Sequence, residues 1–228
     1  MTDSTARTAT AVLSIAFLAV TACISRDQQS ARCEHAPLDS LLQQSREQLG
    51  YTGVQFSAPE AESLVFRGGT ERTTWLGTRW EGPQQGAMLV VGCSGQILAA
   101  ANTGYTLSMR LGPELSGQSE TVIAEVNPGG GTGYEKRQLT VLSRHGGELR
   151  TLWSTDVFER DQSIPSQGGS EKVSTVHFST HGDTIQVAGF AKSLTYNESH
   201  DVWKVRDSVA RPIERYCWGV SSASYQRC

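Results

Sequence analysis

The sequence of 228 residues is short of the features that mark several common function classes. It has no cationic excess: 20 Lys and Arg stand against 23 Asp and Glu, for a formal net charge of −3. A general nucleic-acid binder carries an evident basic surplus, so that class is disfavoured. Charged residues make up only 19% of the chain, against 38% hydrophobic, which sets it apart from highly charged disordered chains. Proline is scarce, 7 against 23 glycines, so the chain is rich in turns rather than linkers. No C-x-x-C pair occurs and the cysteines are widely spaced, which disfavours a structural zinc site. Neither a G-x-x-x-x-G-K-[ST] phosphate loop nor a D-x-[DN]-x-[DN]-G calcium loop is present. No cofactor is called for, and no metal.

What is present begins at the N-terminus. Arg7 and the free amine precede an apolar run of about a dozen residues, from Ala9 to Val20. A membrane-spanning helix needs roughly 20, so the run fits the hydrophobic region of a signal peptide. It ends in Val20-Thr21-Ala22-Cys23, which resembles the lipobox of bacterial lipoproteins. The resemblance implies diacylglycerylation of the Cys23 thiol, cleavage just before it, and acylation of the new amine. Several acyl chains on one residue anchor stably where one chain is marginal. The n-region departs from the pattern in having no Lys and an acidic Asp3. In a host with two membranes, Ile24 after the anchor favours outer-membrane sorting, facing the periplasm.

Four cysteines then remain in an oxidising compartment: Cys33, Cys93, Cys217 and Cys228. Two disulfides are expected, with three possible connectivities. The preferred pairing is Cys33–Cys93 with Cys217–Cys228, because the latter two are close in sequence.

The expected organisation is a signal peptide (1–22), a lipidated tether (23–36) and a single β-rich domain (37–228). Leu38, Leu41, Leu42, Ser45 and Leu49 recur on one helical face and Gly50 follows, predicting one short helix. Beyond it, apolar clusters alternate with glycine-bearing turns. The segments 87–91 and 97–101, 138–144 and 148–153, and 173–178 and 184–190 read as hairpins. Residues 202–205 and 216–220 read as closing strands, and 160–172 as an exposed loop. The fold class is therefore mainly β: an antiparallel meander or sandwich, an open barrel or a propeller-like sheet, with one short N-terminal helix.

Chemistry-bearing motifs are few. Gly92-Cys93-Ser94-Gly95 is not a nucleophile elbow. His177 and His181 have i, i+4 spacing, but across a strand and a turn, and His200-Asp201 lacks a placeable nucleophile. Glu62, Glu71, Glu81 and Glu114 leave a two-carboxylate envelope hydrolase as the alternative function. Trp75 and Trp80 could stack on a sugar ring, although buried aromatics are commoner; Trp153, Trp203 and Trp218 read as core.

The most distinctive segment is Asn127-Pro128-Gly129-Gly130-Gly131-Thr132-Gly133-Tyr134-Glu135-Lys136-Arg137. Gly129, Gly130, Gly131, Thr132 and Gly133 give backbone freedom beside an aromatic anchor, Tyr134, and two cations, Lys136 and Arg137. Tyr and Arg are frequent binding anchors, so this loop is the candidate contact site for an envelope or secreted protein. The stretch from Gly130 to Tyr134 is loosely similar to the Ser-Gly-x-x-Tyr loop of lysozyme-inhibitor lipoproteins, with Gly130 at the serine. That resemblance implies an inhibitor or immunity-like protein acting on a cell-wall hydrolase without catalysis of its own.

Overall fold

The computed structural model describes residues 37–50, 62–67, 72–78, 86–118 and 120–228. Helix α1 (Leu38–Leu49) forms where the leucine periodicity predicts it. Leu41, Leu42 and Ser45 are buried, and Gly50 follows with φ of +76°. Short helices need tertiary packing to persist, and α1 obtains it: Leu41 packs with Leu76, Ala87, Leu89 and Val91 of the neighbouring sheet.

That sheet has four strands in the order β1 (Glu62–Arg67), β2 (Arg72–Gly77), β3 (Ala87–Gly92) and β4 (Ile97–Asn102), all antiparallel. Strand β3 reads AMLVVG and is buried along its whole length. Two-sided burial explains the uninterrupted apolar run. Ala87, Leu89 and Val91 join the cluster that contains Leu41 of α1, while Met88 and Val90 pack with Trp75, Ala99, Val122, Ala124, Val126 and Leu142. Trp75 is therefore core. Trp80 lies outside the described residues.

The second sheet has nine strands: β5 (Tyr105–Leu111), β6 (Thr121–Asn127), β7 (Gly130–Gly131), β8 (Tyr134–His145), β9 (Glu148–Asp161), β10 (Gly169–Phe178), β11 (Thr184–Asn197), β12 (Val202–Gly219) and β13 (Ser224–Arg227). Its order runs β13-β12-β11-β10-β9-β8-β6-β5, with β7 paired to β8 alone. Among the described residues the architecture is thus two antiparallel sheets and one short helix, and neither sheet closes into a barrel.

Strands β9 and β10 pair at only four positions, Phe158 to Asp161 with Val173 to Ser170. Beyond these the two strands part. Ile123, Val141 and Trp153 from one side of the split pack with Ile185, Val187 and Tyr225 from the other. Edge-to-face contacts of Trp153 with Phe178 (6.3 Å) and Tyr216 (5.6 Å) fill the space between. The turn after β10 is locked in place. The Tyr225 hydroxyl donates to the Gly182 carbonyl, and a Cβ at Gly182 would stand 1.8 Å from Pro113. Gly182 has φ of +70°, so both conformation and space demand glycine there.

Three expectations need correcting. The segments 202–205 and 216–220 are not separate strands: residues 202–219 form one long strand, β12. Much of the expected loop at 160–172 is also strand, because Arg160 and Asp161 end β9 and Gly169 begins β10. Trp203 is not core; it is partly exposed, packs at a tilt against Tyr196 with ring centroids 5.3 Å apart and leans over Gly169.

Cys217 and Cys228 form a disulfide, Cα–Cα 5.6 Å, which ties the chain end to β12. Cys93 is disulfide-bonded as well. Cys33 and the proposed anchor Cys23 lie outside the described residues, as do Glu71 and Glu81.

Candidate functional site

The glycine segment folds as a tight hairpin. The N–H of Gly129 donates to the Asn127 side chain at 3.1 Å, an Asx turn that reverses the chain after β6. Gly130 and Gly131 then pair with Glu135 and Tyr134, leaving Thr132 and Gly133 as the turn. Gly133 has φ of +77°, and its carbonyl accepts the Gln162 N–H at 2.7 Å. A Cβ on Gly133 would stand 2.8 Å from the Gln162 carbonyl oxygen, whereas one on Gly131 would meet nothing within 4 Å. The hairpin is pinned through its turn, at Gly133, to the residue that follows β9, and Gly131 and Thr132 beside that point are exposed.

Strand alternation then sorts the candidate residues. Tyr134, Lys136, Gln138 and Thr140 share one face of β8, and Arg137 lies on the other with Glu135. The structure therefore does not gather Tyr134, Lys136 and Arg137 into one patch. Lys136 Nζ is 3.0 Å from Asp156, and Gln138 Nε2 donates to the same carboxylate at 3.2 Å. The Tyr134 hydroxyl donates to Glu159 at 3.4 Å, and Glu159 also holds Lys172 at 2.6 Å. Partial burial and the nearby Glu159 carboxylate raise the Tyr134 pKa above the usual phenol value. The hydrogen bond to Asp156 holds Lys136 above the ordinary lysine value. On the opposite face, Arg137 contacts Glu135 (3.1 Å) and Glu125 (3.6 Å) and covers the Phe158 ring at 4.7 Å.

At the foot of the hairpin, the face of Gln138 and Thr140 opens into a cleft of about 320 Å³. The β4–β5 turn contributes Asn102, Thr103 and Gly104; β6 and the segment after it give Val126 and Pro128; β9 adds Thr151 and Ser154. All the polar side chains in this wall are amides and hydroxyls. They offer directional hydrogen bonds to a polar chain, and the wall itself supplies no proton-transfer group. Sequence reading missed Asn102, Thr103, Thr151 and Ser154, because their approach to the hairpin depends on long-range strand pairing. Gln138 and Thr140 were legible in principle: they continue the alternation of Tyr134 and Lys136.

The other candidates stay apart. His177 lies on β10 opposite Gln186, and His181 sits in the following turn. Among the described residues no group of three or more His, Cys, Asp or Glu side chains gathers to hold a metal. Asp201 accepts the Tyr196 hydroxyl and His200 Nδ1 lies 2.8 Å from Ser199 Oγ, so each has a contact other than the expected partner. Glu114 is exposed.

One charged cluster escaped the sequence reading. The Glu171 side chain is only 10% exposed and is held by Arg160 and Lys192, each at 2.6 Å. Those two hydrogen bonds, Lys192 first, lower its pKa below the ordinary carboxylate range. The three residues come from β9, β10 and β11 and tie those strands together beyond the hydrophobic clusters. Comparison with protein-family models, with curated proteins and with solved structures finds no match to this chain.

Proposed function

We propose that this chain is an exported lipoprotein that works by contact rather than catalysis, engaging an envelope or secreted protein through its glycine hairpin. The observation that carries the reading is the hairpin's construction: an exposed Gly131-Thr132 tip whose turn is held by the bond between Gly133 and Gln162. Fixing the turn lowers the entropy lost when the tip is ordered by a partner. The face behind it supports this reading, because Tyr134, Lys136 and the neutral cleft form one polar strip suited to a polar polypeptide. Arg137, paired on the opposite face, drops out of the contact surface. In its sharpest form the partner is a cell-wall hydrolase and the chain acts as its inhibitor or immunity-like antagonist.

Anchoring at Cys23 keeps this domain at the envelope, facing the periplasm where two membranes are present. One experiment addresses both parts. A photo-crosslinking residue at Thr132, in the lipidated protein within its native envelope, is expected to capture one abundant protein partner. The Cys23→Ser form is expected to leave the membrane fraction and lose the acyl mass increment. An unmodified N-terminal cysteine would remove the anchor. Crosslinking at Thr132 no richer than at exposed Glu148 would remove the hairpin from the contact.

A further inference from the structure

Strand β12 pairs with β11 from Val202 to Cys217 on one side. On its other side β13 covers only Tyr216 to Gly219. Among the described residues no strand pairs with the outer edge of residues 202–214. A row of open backbone donors and acceptors is a template for another strand. This one also carries Val205, Val209 and Ile213 at 56%, 59% and 64% exposure.

We propose that two copies of the chain pair through this edge, antiparallel and centred on Val209. The argument is the segment's complementarity to its own reverse. Laid against itself about Val209, Lys204 meets Glu214 and Asp207 meets Arg211, each pair occurring twice by symmetry. Val205 meets Ile213, Val209 meets Val209, and Ser208 meets Ala210. No like charges face one another, and opposite charges and apolar pairs directly across an antiparallel ladder are stabilising. The two neighbouring registers lose this match: one sets Arg206 against Arg211, the other Lys204 against Arg215.

One irregularity of the strand fits this register. The ladder with β11 skips Arg206 and is interrupted again at Pro212 and Ile213. Reversal about Val209 places Arg206 opposite Pro212. The proline, which has no N–H to give, therefore falls at an already broken position and leaves residues 207–211 continuous. Such an interface is isologous and closes at two copies. This pairing is independent of the hairpin and its cleft.

The purified full-length protein in detergent is to be examined by analytical ultracentrifugation over a concentration series, with disulfide trapping alongside. The wild type is expected to show a monomer–dimer equilibrium. Val209→Cys is expected to form a disulfide-linked dimer, since residues directly across a ladder come within bridging reach. Val205→Cys, equally exposed but opposite Ile213, is expected not to self-link. Asp207→Arg should weaken the dimer by roughly tenfold or more, and adding Arg211→Asp should restore it by re-forming the pair with the charges exchanged. A monomer at every concentration would overturn the proposal, whether the edge is bare or covered by a segment of the same chain. So would a dimer that Asp207→Arg leaves intact and Val209→Cys fails to trap.

Discussion

Strands β6 and β12 are both rich in valine and belong to one sheet, yet their surroundings differ sharply. In β6 the residues Thr121 to Ala124 are all buried. Val122, Ala124 and Val126 face the cluster shared with the four-stranded sheet, and Ile123 faces the other cluster. In β12 the apolar residues Val202, Val205, Val209 and Ile213 are exposed. The difference is position. A central strand has a layer on each face, whereas an edge strand running past the clusters has none. Apolar composition therefore does not define the core of this protein; the second layer does.

The largest expected effect tests this contrast. Ile123→Ala should cost about 2–5 kcal/mol, because it opens a cavity where the surroundings cannot collapse fully. Val205→Ala, at protein concentrations low enough for the chain to be monomeric, should stay within about 0.5 kcal/mol, as for an exposed site. Equilibrium urea unfolding of the two variants measures the gap, and equal losses would erase the distinction.

A smaller effect is expected from the charged cluster that ties the sheet beyond its clusters. Glu171→Gln should cost about 1–3 kcal/mol at neutral pH, since it weakens hydrogen bonds to two cations. The sign of its pH dependence follows from the depressed folded-state pKa. The carboxylate contributes its full stabilisation above the unfolded glutamate value of about 4.3, and that contribution fades as pH falls through the lower folded value. Acid unfolding followed by circular dichroism should show the wild type losing this increment on acidification, with Glu171→Gln lacking that part of the curve. Parallel acid limbs would mean that Glu171 carries no such linkage.

Local patterning made part of this fold readable. The leucine face of α1 and Gly50 behind it, and the glycine turns at 92–95, 145–147 and 181–183, are short-range signals that structure preserves. Strand length was not readable. Strands β9, β10 and β11 run beyond their apolar segments on charge and backbone pairing, as at Arg160, Glu171 and Lys192, and polar residues of that kind look like loop. Trp203 misled for the related reason that a large aromatic reads as core even on a projecting strand. At the candidate site the hairpin was visible, but the division of Tyr134 and Lys136 from Arg137 needed the strand to begin at Tyr134. The cleft wall needed pairings far apart in sequence.

The central claim is that one face of the hairpin strand meets the partner. Its most direct test is the affinity of the captured protein for Tyr134→Ala against Arg137→Ala, measured by calorimetry on folded variants. The expected result is a loss above about 1 kcal/mol for Tyr134→Ala, and a change of under about 0.5 kcal/mol for Arg137→Ala, whose side chain lies on the far face. Equal losses, or a larger one at Arg137, would contradict the assignment of the contact to the face of Tyr134 and Lys136.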